Sequence, residues 1–294
     1  MLPGLTLTEY TDPLSAWAWG SEGKLRRLAW RFGEQLDWRR VMACLFEEHA
    51  PAPAEGMGSA SEVWAEVSHH TAMPFRQGVR GQFDSSLPAC RAVKAAELQG
   101  AGVGERVLRR LREAVFLDGC LLEGEDEVLA ALRGVAGLRL DMLVADLGSE
   151  VVGRRLRADH REARAPAVAV RLLEEIGAGQ GRARECVDGW CYSVPTVLVA
   201  GPLGGAVVPG WKPYEDYEDA LRGVAAEPLA ARPDPTPSEA LAHFGSLSAV
   251  ELEMLCGIGA VPPQAAIRIE RVEPVFFSEA AARASGRLRK EVSA

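Results

Sequence analysis

The sequence predicts an α/β protein in which a large all-helical insertion interrupts a small sheet, with a small extension at the C-terminal end. Three observations lead there. Residues 1–46 read β-α-β, helical patterns fill the stretch from about Ser61 to Ile176, and strand character returns only at 194–200, followed by a hairpin and a helix. Helices placed between two halves of one sheet is the economical reading of that order. It divides the chain into sheet halves at 1–60 and 187–228, the insertion at 61–186, a proline-rich linker at 229–240 and the extension at 241–294.

Each element has a local reason. "LTLTEY" alternates apolar and polar residues, the period of a half-buried strand. After "TDP", Leu25, Leu28, Ala29 and Phe32 fall at i, i+3, i+4 and i+7, an apolar helical stripe that Gly33 closes. "LDWRRVMACLF" supplies a second strand. In the insertion, "ACRAVKAAELQG" is rich in strong helix formers and stops at Gly100. "GERVLRRLREAVF" sets Leu108, Leu111 and Val115 on one face with arginines opposite, and "DEVLAALRGVAGL" repeats the pattern through Val128, Leu132 and Val135. No fixed period links these segments, which excludes a solenoid. "VPTVLVA", a Gly-rich turn and "AVVPGW" read as a hairpin. "PYEDYEDALRGVA" begins a helix with Pro213 and early acids, both favourable at an N-terminus.

Beyond the proline-rich "AARPDPTPSEA", two short helices are expected around Gly245, and "AAIRIERVEPVFFS" reads as a strand or a third helix. Residues Gly245 to Arg271 carry a faint helix-turn-helix pattern. Their acids and bases nearly balance, which favours docking or a homodimer through the extension over contact with DNA.

The chain has 294 residues, 33 Lys and Arg against 41 Asp and Glu, and a net charge of -8. That balance repels polyanions, so neither nucleic acid nor an acidic membrane is expected as a partner. The start lacks a basic, apolar leader, and no apolar run approaches the ~20 residues of a membrane span. A cytoplasmic location is expected. Six scattered cysteines (44, 90, 120, 186, 191, 256) do not read as a disulfide framework, and no Cys or His spacing suggests a metal site.

Four places resemble one superfamily. "TDPLSAWAWG" resembles an active-site turn, "DSSLPACRAVKAAELQG" and "LRRLREAVFLDG" resemble insertion helices, "SVPTVLV" resembles a segment with a cis-proline, here Pro195, and "GWKPYEDYEDAL" resembles a last helix. Together they are similar to the DsbA-like superfamily, a thioredoxin fold with a helical insertion, and to its frenolicin-type branch, over roughly residues 5 to 226. The resemblance implies a Cys-x-x-Cys or Cys-x-x-Ser motif at the helix start, where this chain has Ser15-Ala-Trp-Ala18. A serine hydroxyl stays protonated near neutrality and a methyl group cannot resolve a mixed disulfide, so thiol exchange at 15–18 is excluded.

Kappa-class glutathione transferases and 2-hydroxychromene-2-carboxylate isomerases, which this sequence resembles in the Leu-Ser pair, have a serine here, followed by a proline where Ala16 stands. The resemblance implies a groove that takes a small thiol or a carbonyl-bearing metabolite as its small-molecule ligand. Ser15 would be the hydrogen-bond donor, and Leu14, Ala16, Trp17, Ala18, Val194, Pro195 and Thr196 would line the groove. Other readings stand beside it. Ser15 also reads as a plain helix cap, and the protein as a non-enzymatic interaction scaffold. Redox chemistry could have moved to Cys186 and Cys191, which also read as two unrelated packed cysteines, or the motif cysteines could have been engineered away. Trp19 is expected in the core and Trp17 at the groove. Arg154, Arg157, Arg161 and Arg164 form a basic stripe beside His160, read as a solvated face or as an anchor for carboxylates. No acid or serine near His69 and His70 in the sequence supports a triad.

Overall fold

The computed structural model describes residues 4–45, 60–77, 83–174, 179–186, 189–271 and 273–288; Phe46 and Ile176, at the ends of two expected elements, lie outside the described residues. In chain order, β1 (Thr6–Thr11), α1 (Ala16–Phe32) and β2 (Asp37–Met42) come first. Helices α2 (Ala60–Thr71), α3 (Leu87–Ala96), α4 (Ala101–Phe116), α5 (Glu125–Leu132), α6 (Leu140–Leu147), α7 (Glu150–Ala163) and α8 (Val168–Arg171) follow. Then come β3 (Arg184–Cys186), β4 (Gly189–Cys191), β5 (Thr196–Gly201), β6 (Gly204–Pro209) and α9 (Tyr214–Val224). The last part holds α10 (Pro237–Phe244), β7 (Ser246–Ser248), α11 (Ala249–Cys256), β8 (Ile267–Ile269), β9 (Val275–Phe277) and α12 (Glu279–Ala284). Two compact units result: Met1–Ala43 with Arg157–Asp234, and Cys44–Leu156 with Pro235–Ala294.

The first unit is built on a sheet of order β2-β1-β5-β6, with β1 parallel to β2 and antiparallel to β5. Because strand side chains alternate, Leu5 and Leu7 face one side and Thr6, Thr8 and Tyr10 the other. The apolar side meets α1 and α9: Leu25, Leu28 and Phe32 pack with Tyr217, Leu221 and Val224 over Val197, Val199 and Val208. Each such fully buried side chain contributes ~1.5–3 kcal/mol relative to exposure. The register sets Tyr10 opposite both Val41 and Thr196. The end of β1 therefore lies beside the start of β5, and this brings the turn at 12–15 next to residues 194 and 195.

Ser21, Glu22, Lys24 and Arg26 of α1 are buried despite being polar, and burial strongly disturbs the charge of Lys24. Lys24 is only 3% exposed, with its ammonium 3.4 Å from the centre of the Trp211 ring and donating to the Lys212 carbonyl. Burial lowers its pKa from 10.5 to about 7, against the opposing pull of Asp216 and Glu215. Between those two values the unfolded chain binds more protons than the folded one, so stability rises with pH; below about 7 the cost of the buried charge is complete. Lys24→Met should therefore stabilise the protein more at pH 6 than at pH 9, by a difference of roughly 2 kcal/mol after allowing for the lost ring contact. Urea midpoints of both proteins at the two pH values check this.

In the second unit α3 and α4 pack together, and Trp64, Phe75 and Phe116 form an aromatic cluster with centroids 5.2–5.7 Å apart. Leu108, Leu111 and Val115 are buried as expected, but Arg109 and Arg112 of the supposed polar face are buried too. Helix α5 ends at Leu132, before Val135. The C-terminal residues form a three-stranded sheet of order β7-β9-β8. Both α10 and α11 start with a reciprocal capping box, Thr236 with Glu239 and Ser248 with Glu251. The segment "AAIRIERVEPVFFS" is thus two strands rather than a helix, and a strand separates the two helices where a helix-turn-helix pattern was read.

Candidate functional site

The turn before α1 is made by Asp12. Its buried carboxylate accepts the Leu14 N–H at 2.8 Å, and its carbonyl accepts the Ser15 N–H at 3.2 Å. Aspartate before proline is a turn-forming pair for this reason. Ser15 then caps the helix: its Oγ accepts the Ala18 N–H at 3.2 Å and donates to the Val194 carbonyl at 3.5 Å. It is 5% exposed. The Val194–Pro195 bond is cis, and the Pro195 carbonyl accepts the Gly210 N–H at 2.8 Å. Ser15, Val194 and Pro195 are therefore brought together from positions about 180 residues apart in the chain.

The expected groove residues differ in accessibility. Trp17 is half-buried; Leu14, Ala16, Ala18, Trp19, Val194, Pro195 and Thr196 are buried. Trp19 lies in the core, while Trp17 faces the segment at 179–181. Gly179 has φ +77°, and a Cβ there would come within 2.7 Å of the Trp17 ring, so only glycine permits this approach. The Gly179 carbonyl also accepts the Trp211 N–H at 2.7 Å.

On the other side of the sheet lies a polar cluster that the sequence did not announce. Tyr10 stacks on Tyr192 with centroids 4.0 Å apart and donates to Glu162 at 2.9 Å. Arg39 grips the same carboxylate with two hydrogen bonds of 2.6 and 2.7 Å. Burial, then Tyr192 and Glu162, push the Tyr10 phenol well above its usual pKa, so it stays a donor. Strand alternation placed Tyr10 here; nothing local pointed to Glu162, which comes from the end of α7.

Cys186 and Cys191 are joined in a disulfide across the β3–β4 hairpin, with Cα atoms 6.0 Å apart. The reading of two unrelated packed cysteines gives way to a pair. Cys44 and Cys90 are buried. Arg154, Arg157 and Arg161 are exposed on α7 and His160 is half-buried there, while Arg164 is half-buried just past the end of the helix. His69 and His70 are exposed on α2 and meet edge to face at 5.7 Å. Among the described residues there is no metal-binding group of His, Cys, Asp and Glu, and no helix long and apolar enough to cross a membrane.

Chemically, the helix tip offers backbone N–H groups and one hydroxyl already bonded on both sides. Neither the hydroxyl nor the Ala18 methyl can exchange with a disulfide. Comparison with known proteins gives the arrangement its relatives. A thioredoxin family model matches residues 9–170. The ClpXP adapter protein SpxH of Shouchella clausii is 28% identical over 256 residues, 85% of this chain and 77% of that protein. The protein of the same name from Halalkalibacterium halodurans is 31% identical over 53% of each chain. In structure, a candidate protein disulfide isomerase from Nitrosomonas europaea matches 75% of this chain and 95% of its own, with TM-score 0.56 at 16% identity. A candidate DsbA oxidoreductase from Streptomyces coelicolor matches 79% and 100%, with TM-score 0.53 at 14% identity. These two likenesses concern the fold.

Proposed function

Because the chain belongs to the thioredoxin family, in its DsbA-like superfamily, we propose that it uses that scaffold to bind a protein partner, as an adapter of the ClpXP type, and not to move electrons at the helix tip. One observation carries this reading: the Ser15 hydroxyl is occupied as a cap, between the Ala18 N–H and the Val194 carbonyl. An oxygen that caps the helix has a structural role that needs no ligand. The adapter name of the relatives supports the same conclusion from the side of sequence. With this reading goes the cytoplasmic location expected from the sequence, as part of the same proposal.

The competing reading, an isomerase or transferase with Ser15 as donor to a small thiol or carbonyl-bearing metabolite, makes a different prediction for one variant. As a cap, Ser15→Ala costs ~1 kcal/mol of stability and leaves partner binding within about twofold. As a catalytic donor, the same change abolishes turnover. Purified protein is tested for binding to ClpXP and for delivery of a client protein to it, alongside glutathione conjugation and isomerase assays. Binding and delivery that survive Ser15→Ala are the expected result. No binding to ClpXP, together with turnover that Ser15→Ala removes, would reverse the assignment.

A further inference from the structure

We propose that Cys186 and Cys191 are a redox-active pair that exchanges with low-molecular-weight thiols, beside a helix tip that itself carries no sulfur. The hairpin geometry makes the two sulfurs unequal. Cys186 is half-buried at the end of β3, whereas Cys191 is 5% exposed at the end of β4. The neighbour of Cys191 is fixed on three sides: the Tyr192 N–H donates to the Ala163 carbonyl at 2.9 Å, its hydroxyl accepts the Ala167 N–H at 2.9 Å, and its ring stacks on Tyr10. An incoming thiolate therefore reaches Cys186 and not Cys191.

The leaving sulfur has a cation on its own face. Antiparallel pairing sets Arg184 opposite Cys191, and strand alternation puts Arg184 on the same side as Cys186. A guanidinium there favours the thiolate form of Cys191. Arg184 also lies within electrostatic reach of Asp12, which builds the Ser15 turn, and Val194, three residues after Cys191, accepts the Ser15 hydroxyl. The pair is thus linked to the Ser15 turn through Arg184 on one strand and through the short run from Cys191 to Val194 on the other. A sequence separation of 5 closes a short loop, the kind of cross-link that restrains the unfolded chain least. A structural staple would do more elsewhere.

The exchange balances with two equivalents of thiol. A thiolate RS⁻ attacks Sγ of Cys186, the S–S bond breaks, and the Cys191 sulfur leaves with the electron pair and takes a proton from solvent. A second RS⁻ attacks the R sulfur of the mixed disulfide, which releases RSSR and frees Cys186. Two electrons have passed from two thiols to the protein, and one disulfide has become two cysteines.

The test is a titration of the full chain in glutathione buffers from strongly reducing to strongly oxidising, with acid quench, alkylation and peptide mass spectrometry. Residues 186 and 191 should go together from fully alkylated to fully bridged within that range. Cys191→Ser should accumulate a glutathione adduct at Cys186, and Cys186→Ser should give no adduct at Cys191. A pair that stays bridged at the reducing end, or stays alkylated at the oxidising end, would overturn the proposal. So would an adduct that forms only at the exposed Cys120. The wild-type titration needs no variant to fold.

Discussion

Arg109→Met should destabilise the second unit by ~3–5 kcal/mol, the largest loss expected from any single change considered for this chain. Arg109 is 5% exposed and Glu251 is fully buried. The guanidinium meets both Glu251 oxygens, at 2.8 and 3.0 Å, and its Nε donates to Glu113 at 2.9 Å. Ser246 donates to the same Glu113 oxygen, and Glu251 accepts the Ser248 N–H at 2.8 Å as half of the capping box of α11. Removing the cation takes from the buried Glu251 its bidentate partner and from Glu113 the nearest of its cations. Burial alone would raise the Glu113 pKa; Arg109, Arg287, Arg110 and the Ser246 hydrogen bond outweigh it, so the value is lowered. A lowered carboxyl pKa contributes stability that is complete above the unfolded value of 4.5 and is lost as pH falls through the folded one. The variant should therefore differ from wild type more at pH 7 than at pH 3. Urea unfolding at both values measures it, and equal loss at the two would show that packing and not charge is at stake. The double variant Arg109→Met with Glu251→Gln should recover part of the loss, since much of it is the cost of the charge left behind.

The same residues show where the sequence could be read and where it could not. Periodicity placed Leu108, Leu111 and Val115 in the core, because a helix that packs on one side advertises that side every three or four residues. It also assigned the intervening arginines to solvent, and there it failed: the partner of Arg109 is Glu251, 142 residues further on. No local window contains that carboxylate. The capping boxes of α10 and α11 are the opposite case, short patterns of Ser or Thr and Glu in which both partners lie within four residues. At the candidate site the division is similar. The cap at Ser15 and the proximity of residue 195 were legible, the first from residue type and the second from the resemblance. The closing of the groove residues was not, since Gly179 reaches Trp17 only through the fold. The spacing of Cys186 and Cys191 allowed a pair, but a three-residue strand on either side gives too short a pattern to show that they face each other.

Installing sulfur at the tip should restore the chemistry that the tip lacks. In a background of Cys186→Ser and Cys191→Ser, the double variant Ser15→Cys and Ala18→Cys is expected to gain thiol–disulfide exchange over that background, read as reduction of insulin by a dithiol or as oxidative refolding of a reduced client. The reason lies in the N-terminus of α1, a helix of 17 residues. A thiolate at position 15 would take the place of the oxygen that now accepts the Ala18 N–H at 3.2 Å, and it would stand at the positive end of the helix dipole. Those two effects lower a cysteine pKa from ~8.5 into the range of about 3.5–7.5. Alkylation rate against pH, measured on the Ser15→Cys single variant in a background of Cys186→Ser and Cys191→Ser, reports that pKa without interference from the hairpin pair. The second sulfur has a cost, because Ala18 is fully buried and an added atom there strains the packing by ~1–3 kcal/mol. A lowered pKa with exchange would show that the electrostatics of the turn persist and that only its atoms have changed. A thiol that titrates near 8.5 and exchanges no faster than free cysteine would mean the turn now serves packing alone. The contrast with Ser15→Ala is the decisive one: the alanine removes a cap, while the cysteine asks whether the field around the cap is still the field of a redox site.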